Sequence, residues 1–258
     1  MITSKDNDII KNTAKLVKSA KHRKECGKFA AEGVRICLDG VLSGFYPDIF
    51  FYTSKSKEKY AEEFEKISAV SKKCFEVSQA VFEKISDTKS PQGFFCVFNM
   101  LDKSKNLDTI NNRGNYIALE NIQDPSNMGT ILRTAEALGF DGVVMSENCC
   151  DFYSPKVVRG SMGAVFRLPS FVPENFAEYI GELTKSGIAT YGSTPHNAKD
   201  ITTLEINGGV MIIGNEGNGL SPEVLNSCSE KVLIPMSGRA ESLNAAAAAA
   251  ILMWETVR

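Results

Sequence analysis

Histidine is scarce in this chain, with only His22 and His196, far apart. A zinc site would have to be assembled from scattered ligands, and no metal is expected. The seven cysteines, Cys26, Cys37, Cys74, Cys96, Cys149, Cys150 and Cys228, include no C-x-x-C pair. An odd number without a leader fits reduced thiols better than a disulfide frame. No apolar run approaches the ~20 residues of a membrane span and residues 1–8 are polar, so a soluble cytoplasmic protein is expected. A surplus of positive charge is missing too. Lys and Arg number 29 against 31 Asp and Glu, a net charge of -2, which does not announce a nucleic-acid binder.

What is present is ordinary globular material: 43% hydrophobic and 23% charged over 258 residues, enough for one large domain or two of usual size. Charge is unevenly placed. Lys11, Lys15, Lys18, Lys21, Arg23, Lys24 and Lys28 crowd together, relieved only by Glu25, at a spacing that predicts an amphipathic helix with a cationic face. Such a face is either simply solvated or a phosphate contact.

After Gly27 the pattern alternates between strand and helix. Strands are expected at 29–31, 49–52, 75–77 and 94–98, with helices at 34–42, 56–67 and 80–85, a small α/β unit. Residues 101–114, rich in Lys, Asn and Asp, read as the connection. A second alternation follows. Strands are expected at 116–119, 142–145, 189–192, 210–213 and 232–234, and helices at 130–138, 155–163, 174–185 and from about 242 to the end. This implies a parallel sheet with right-handed crossovers, whose ligands sit beyond the C-terminal ends of the strands. Ser126 or Asn127 is expected to cap the helix after the first of these strands, and Ser242 the alanine-rich last helix.

Polar loops stand at those strand ends. Gly214, Gly217 and Gly219 follow a strand in the order G-x-x-G-x-G, with no Gly-Lys-Ser/Thr after them. Neither a dinucleotide fingerprint nor a phosphate loop is specified. The loop E-N-I-Q-D-P-S-N-M-G carries Asn127 and leads to Arg133.

Together these loops resemble the SpoU or TrmH branch of the SPOUT family of RNA methyltransferases, which move a methyl group from S-adenosylmethionine to a ribose 2′-hydroxyl. Three motifs carry the match: N-x-G-x-x-x-R at Asn127, Gly129 and Arg133; I-G-N-E-G-N-G-L at 213–220; and I-P-M-S-G-R-A-E-S-L-N-A-A-A-A at 234–248. The N-terminal part is similar to that family's substrate-binding domain of ribosomal-protein-L30e type, through F-A-A-E-G at 29–33 and S-P-Q-G-F-F at 90–95. The domains expected are therefore an L30e-type RNA-binding α/β domain over 1–105, a linker over 106–113, and a SPOUT α/β domain over 114–258.

The resemblance implies a parallel sheet ending in a deep trefoil knot that holds a bent S-adenosylmethionine. It assigns Ser193, Thr194, Gly214, Asn215, Glu216, Gly217, Ile234, Met236, Ser242, Leu243 and Asn244 to the cofactor. Asn127, Arg133, Glu216, Ser242 and Asn244 are assigned to catalysis. Arg133 is expected to stabilise the developing alkoxide and anchor phosphate, since guanidinium stays protonated. Glu216 either accepts a proton or orders the loops by accepting backbone amides. The expected RNA contacts are Lys18, Lys21, Arg23, Lys24, Arg133, Arg159, Ser161 and Arg167. A homodimer acting on structured RNA, with ribosomal RNA the expected substrate, is implied, and a catalytically silent RNA-binding or ribosome-assembly protein is the alternative.

Overall fold

A computed structural model describes residues 1–101, 110, 111 and 113–258. Of the expected linker, residues 106–109 and 112 lie outside the described residues. The chain divides into two compact units, Met1–Leu101 with Asp151–Arg167, and Asp102–Cys150 with Leu168–Arg258.

In the first unit, strands β1 (Lys28–Glu32), β2 (Ile49–Tyr52), β3 (Cys74–Glu76) and β4 (Phe94–Asn99) form one mixed sheet in the order β1-β4-β2-β3. Strand β4 is antiparallel to β1 and β2, and β2 is parallel to β3. Both faces are buried, so β4 is a continuous apolar run. Phe95 and Val97 pack with Ile10, Leu16, Val81 and Phe82 under the N-terminal helices. On the other face Phe29 and Phe98 meet Phe166 at ring-centroid distances of 5.8 and 5.0 Å. Gly40 is small for this reason, since a Cβ there would lie 2.7 Å from Phe98 and 2.9 Å from Phe166.

Phe166 belongs to the segment 151–167, which lies within the expected SPOUT domain over 114–258. Asp151–Arg167 forms two short helices, Pro155–Gly160 and Ala164–Arg167, and is grouped by its contacts with the first unit. Tyr153 of this segment also lies against Phe29, at 4.6 Å.

The expected single basic helix is two, Asp8–Lys18 and Ala20–Cys26. Ser19 breaks it by adopting extended backbone and capping the second helix, its hydroxyl accepting from the His22 amide at 3.2 Å. The expected 56–67 helix likewise divides into Ser54–Lys59 and Ala61–Ser68.

The second unit is a parallel sheet. Its strands are β5 (Asn115–Leu119), β6 (Gly142–Met145), β7 (Ser170–Phe171), β8 (Thr190–Ser193), β9 (Lys199–Asp200), β10 (Gly209–Ile213) and β11 (Glu230–Leu233). Their order is β7-β6-β5-β10-β8-β11-β9, every neighbour parallel. The short edge strands β7 and β9 and the helix Pro222–Ser227 were not expected, because segments this short carry little periodicity. In the centre, β10 is buried throughout, as a strand covered on both faces must be. Tyr116, Ala118, Val210 and Ile212 pack on Phe176, Ile180 and Leu183 of the helix Phe176–Lys185. The final helix, Ala245–Val257, contacts the helix Pro125–Ala137, with β5 and β10 beneath. Ala245, Ala246 and Ala249 are on its buried face, where small side chains permit close approach.

Candidate active site

Because β5, β10, β8 and β11 are adjacent and parallel, the loops that leave their C-terminal ends stand side by side. Glu120, Gly214, Thr194 and Ile234 each follow one of these strands. The three sequence motifs meet here.

Two helix starts differ from expectation, and both differences build the site. Pro125, which lacks an amide proton and has a fixed φ, opens the first helix, so Asp124 becomes its cap and accepts from Ser126 at 2.8 Å. Asn127 is thereby the third residue of the helix, its side chain released from capping. The last helix is capped by Asn244, not Ser242: Asn244 Oδ1 accepts from the amides of Ala246 and Ala247 at 3.0 and 3.2 Å.

These asparagines join. Asn244 Nδ2 donates to Asn127 Oδ1 at 2.9 Å, and Asn127 Nδ2 donates to Glu216 Oε1 at 3.0 Å. Asn127 is buried, so both ends of its amide need partners and have them. The Glu216 carboxylate also accepts from the backbone amides of Gln123 at 3.1 Å and Asp124 at 3.0 Å. Burial alone would raise its pKa, but the Asn127 bond and the surrounding backbone amides outweigh it and hold the carboxylate below its ordinary value. A group so occupied ties the two loops together.

The loop after β10 closes on itself. Asn215 and Gly219 exchange backbone hydrogen bonds at 3.0 and 2.9 Å, and Asn215 Oδ1 accepts from the amides of Gly217 and Asn218, each at 3.0 Å. Gly219 has a φ of +68°, and a Cβ on Gly214 would lie 2.2 Å from the Gly219 carbonyl carbon. The loop then leads to Ser221, whose hydroxyl donates to buried Glu120 at 2.6 Å while its amide donates at 2.8 Å.

Of the other expected site residues, Ser193 ends β8, and the Thr194 amide donates to Val232 of β11 at 2.9 Å. Ile234 is half-buried, whereas Met236, Ser242 and Leu243 are exposed on the run into the last helix. Arg133 is exposed and, among the described residues, makes no hydrogen bond or ion pair. Its six-residue separation from Asn127 corresponds to about 9 Å along the helix.

Residues 114–254 match the SpoU rRNA methylase family, and residues 7–96 match the MRM3-like substrate binding domain. The chain belongs to the SpoU rRNA methylase family. Among relatives is the 23S rRNA (guanosine(2553)-2′-O)-methyltransferase RlmP of Bacillus subtilis, 29% identical over 98% of this chain and 97% of that protein. An uncharacterized tRNA/rRNA methyltransferase of Synechocystis is 30% identical over 100% and 93%. The AdoMet-bound rRNA methyltransferase of Sinorhizobium meliloti has a similar structure, with a TM-score of 0.86 and 28% identity over 99% of this chain and 96% of that one.

As a SpoU family member the chain was expected to contact RNA through eight residues, and the structure separates them. Lys18, Lys21 and Lys24 are exposed. Arg23 is not available: it is 4% exposed, its guanidinium paired with Asp151 at 2.5 Å and donating to the Leu16 and Val17 carbonyls. Ser161 is withdrawn as well, 1% exposed with its hydroxyl donating to the Val158 carbonyl at 2.9 Å. Arg159 is half-buried, bonded to Asp87 at 2.8 Å, and lines a cavity of about 400 Å³ with Glu32, Gly33, Arg35 and Gln92. Arg167 is exposed and donates to the Met162 carbonyl at 3.2 Å. Sequence reasoning missed Glu120, Gln123 and Ser221 as loop clamps; the E-N-I-Q-D-P run was visible, but its partners lie about a hundred positions away.

Proposed function

We propose that this chain methylates a ribose 2′-hydroxyl of ribosomal RNA, with S-adenosylmethionine as donor. The supporting observation is the Asn244–Asn127–Glu216 chain of hydrogen bonds, which joins all three family motifs at the C-terminal ends of adjacent parallel strands. The donor, when bound, supplies an electrophilic methyl group. Ser193, Thr194, Gly214–Gly217, Ile234, Met236 and Ser242–Asn244 would hold it. Their chemistry fits: exposed Met236 and Leu243 offer apolar surface to an adenine, and Gly217 leaves backbone open to close approach.

On the acceptor side, Arg133 is the catalytic cation. Unpaired and exposed, it is free to stabilise negative charge developing on the ribose oxygen and to hold a neighbouring phosphate. Asn127 and Glu216 keep the loops aligned for an in-line displacement, in which orientation supplies much of the rate.

The first unit is the RNA-binding part in this reading, with Lys18, Lys21 and Lys24 on its surface. A second copy covers the last helix, where Ile251 and Trp254 are 39% and 56% exposed. The trefoil threading and a cytoplasmic location belong to the same proposal.

Purified protein incubated with tritiated donor and ribosomal RNA from a strain lacking the gene should label ribose oxygens. Arg133→Ala should lower turnover on the order of a hundredfold while donor binding stays near wild type. A wild-type protein that neither binds donor nor labels RNA would end this reading.

A further inference from the structure

Asn121, directly after Glu120, has a φ of 54°, the left-handed region that non-glycine residues seldom occupy. Two reciprocal hydrogen bonds hold it there. The Asn121 amide donates to Ser146 Oγ at 2.8 Å, and the Ser146 hydroxyl donates back to Asn121 Oδ1 at 3.0 Å. Ser146 is a firm anchor: it is buried, follows β6, and its own amide donates to the Leu119 carbonyl at 2.9 Å. Asparagine suits this role because its short polar side chain satisfies a left-handed turn locally.

The turn leaves the Asn121 carbonyl to accept from Asn215 Nδ2 at 2.8 Å. Asn215 in turn shapes the Gly217 and Asn218 turn through its Oδ1. One backbone carbonyl therefore ties the loop that carries Asn127 to the loop that carries Gly214–Gly217. Gln123, Asp124, Glu216 and Gly217 are all exposed, and the Glu216 carboxylate joins the same two loops beside this contact.

We infer that Asn121 is a positioning residue for methyl transfer: its left-handed backbone, clamped by Ser146, sets the spacing between the acceptor loop and the donor loop. The inference rests on the assignment of those loops made above. It concerns a residue outside the assigned donor and acceptor sets, which acts through Asn215.

The test uses the full chain and four variants: Asn121→Ala, Asn121→Gly, Asn121→Asp and Ser146→Ala. For each, kcat and KM for donor and RNA are measured by tritium transfer, donor affinity by calorimetry, and thermal midpoint by circular dichroism. Asn121→Ala, which loses the Oδ1 half of the clamp and the backbone preference, should lower kcat/KM by roughly tenfold to a hundredfold, the scale of a small misalignment of reacting groups. Asn121→Gly keeps the left-handed turn and Ser146→Ala keeps Asn121, so each should fall between Ala and wild type. Asn121→Asp keeps the acceptor for Ser146 and should recover most activity.

Thermal midpoints that fall while kcat and both KM values stay within about twofold of wild type would overturn the inference, leaving Asn121 a structural residue only. If Asn121→Ala fails to fold, Asn121→Gly and Ser146→Ala decide the question by the same readout. Wild-type protein that binds no donor and labels no RNA would instead overturn the loop assignment, and the inference with it.

Discussion

Asn127 Nδ2 donates to Glu216 Oε1 at 3.0 Å, a hydrogen bond between residues 89 positions apart. It assigns Glu216 a task that its motif left open. The carboxylate gathers side-chain and backbone donors from the loop after β5 and so orders the site.

A double-mutant cycle should detect this bond. Asn127→Ala and Glu216→Gln are each expected to weaken donor binding, and the double variant should lose less than the sum. Coupling of about 0.5–3 kcal/mol is expected for groups in one hydrogen-bond network. Additive losses measured by calorimetry would place the two side chains in separate roles.

Acid should loosen the same loops. Burial raises the Glu216 pKa, but its hydrogen bonds lower it further, so the folded value lies below the ordinary 4.5. Asp48 behaves alike, burial being outweighed by hydrogen bonds and charge from Lys28 and Lys72. A depressed carboxylate stabilises the fold fully above its unfolded pKa and loses that contribution as pH falls through the folded one. Urea midpoints should therefore hold above about pH 5 and decline below it, and Glu216→Gln should flatten part of the decline. A midpoint that rises on acidification would contradict the assignment.

Arg23 is a structural cation. Arg23→Met leaves Asp151 without its buried partner and should cost about 3–5 kcal/mol in urea unfolding. Replacing both residues with apolar ones should restore part of the loss. Lys24→Ala, next in the chain but exposed, should change stability by no more than about 0.5 kcal/mol. Equal effects on stability from the two single variants would refute the burial argument.

Gly214→Ala forces a methyl group within 2.2 Å of backbone that cannot swing aside. Overpacking of this kind costs about 1–3 kcal/mol, and here the loop would have to open. Thermal melting should drop and donor affinity should fall with it. Gly217→Ala is the control for the thermal midpoint alone, because its nearest neighbour to an added Cβ is 3.6 Å away.

Much of the architecture was legible. The strands of the second unit other than β7 and β9 were readable because runs such as 210–213 are apolar, β-branched and bounded by Gly, signals that act over a few neighbours. The positions of Asn127, Arg133, Glu216 and Asn244 within recurring motifs were legible for the same reason: each motif is short and contiguous.

What the amino-acid order determined by itself was thus the alternation of elements, the parallel sheet of the second unit and the loops that carry chemistry. Tertiary structure alone decided which polar residues were spent on holding the fold. Arg23 looks like its exposed neighbours Lys21 and Lys24 until Asp151, 128 positions on, draws it inside. Asn121 looks like any loop asparagine until Ser146 and Asn215 fix its turn. Local propensity acts between neighbours, whereas burial and hydrogen-bond satisfaction depend on partners that only the closed chain supplies.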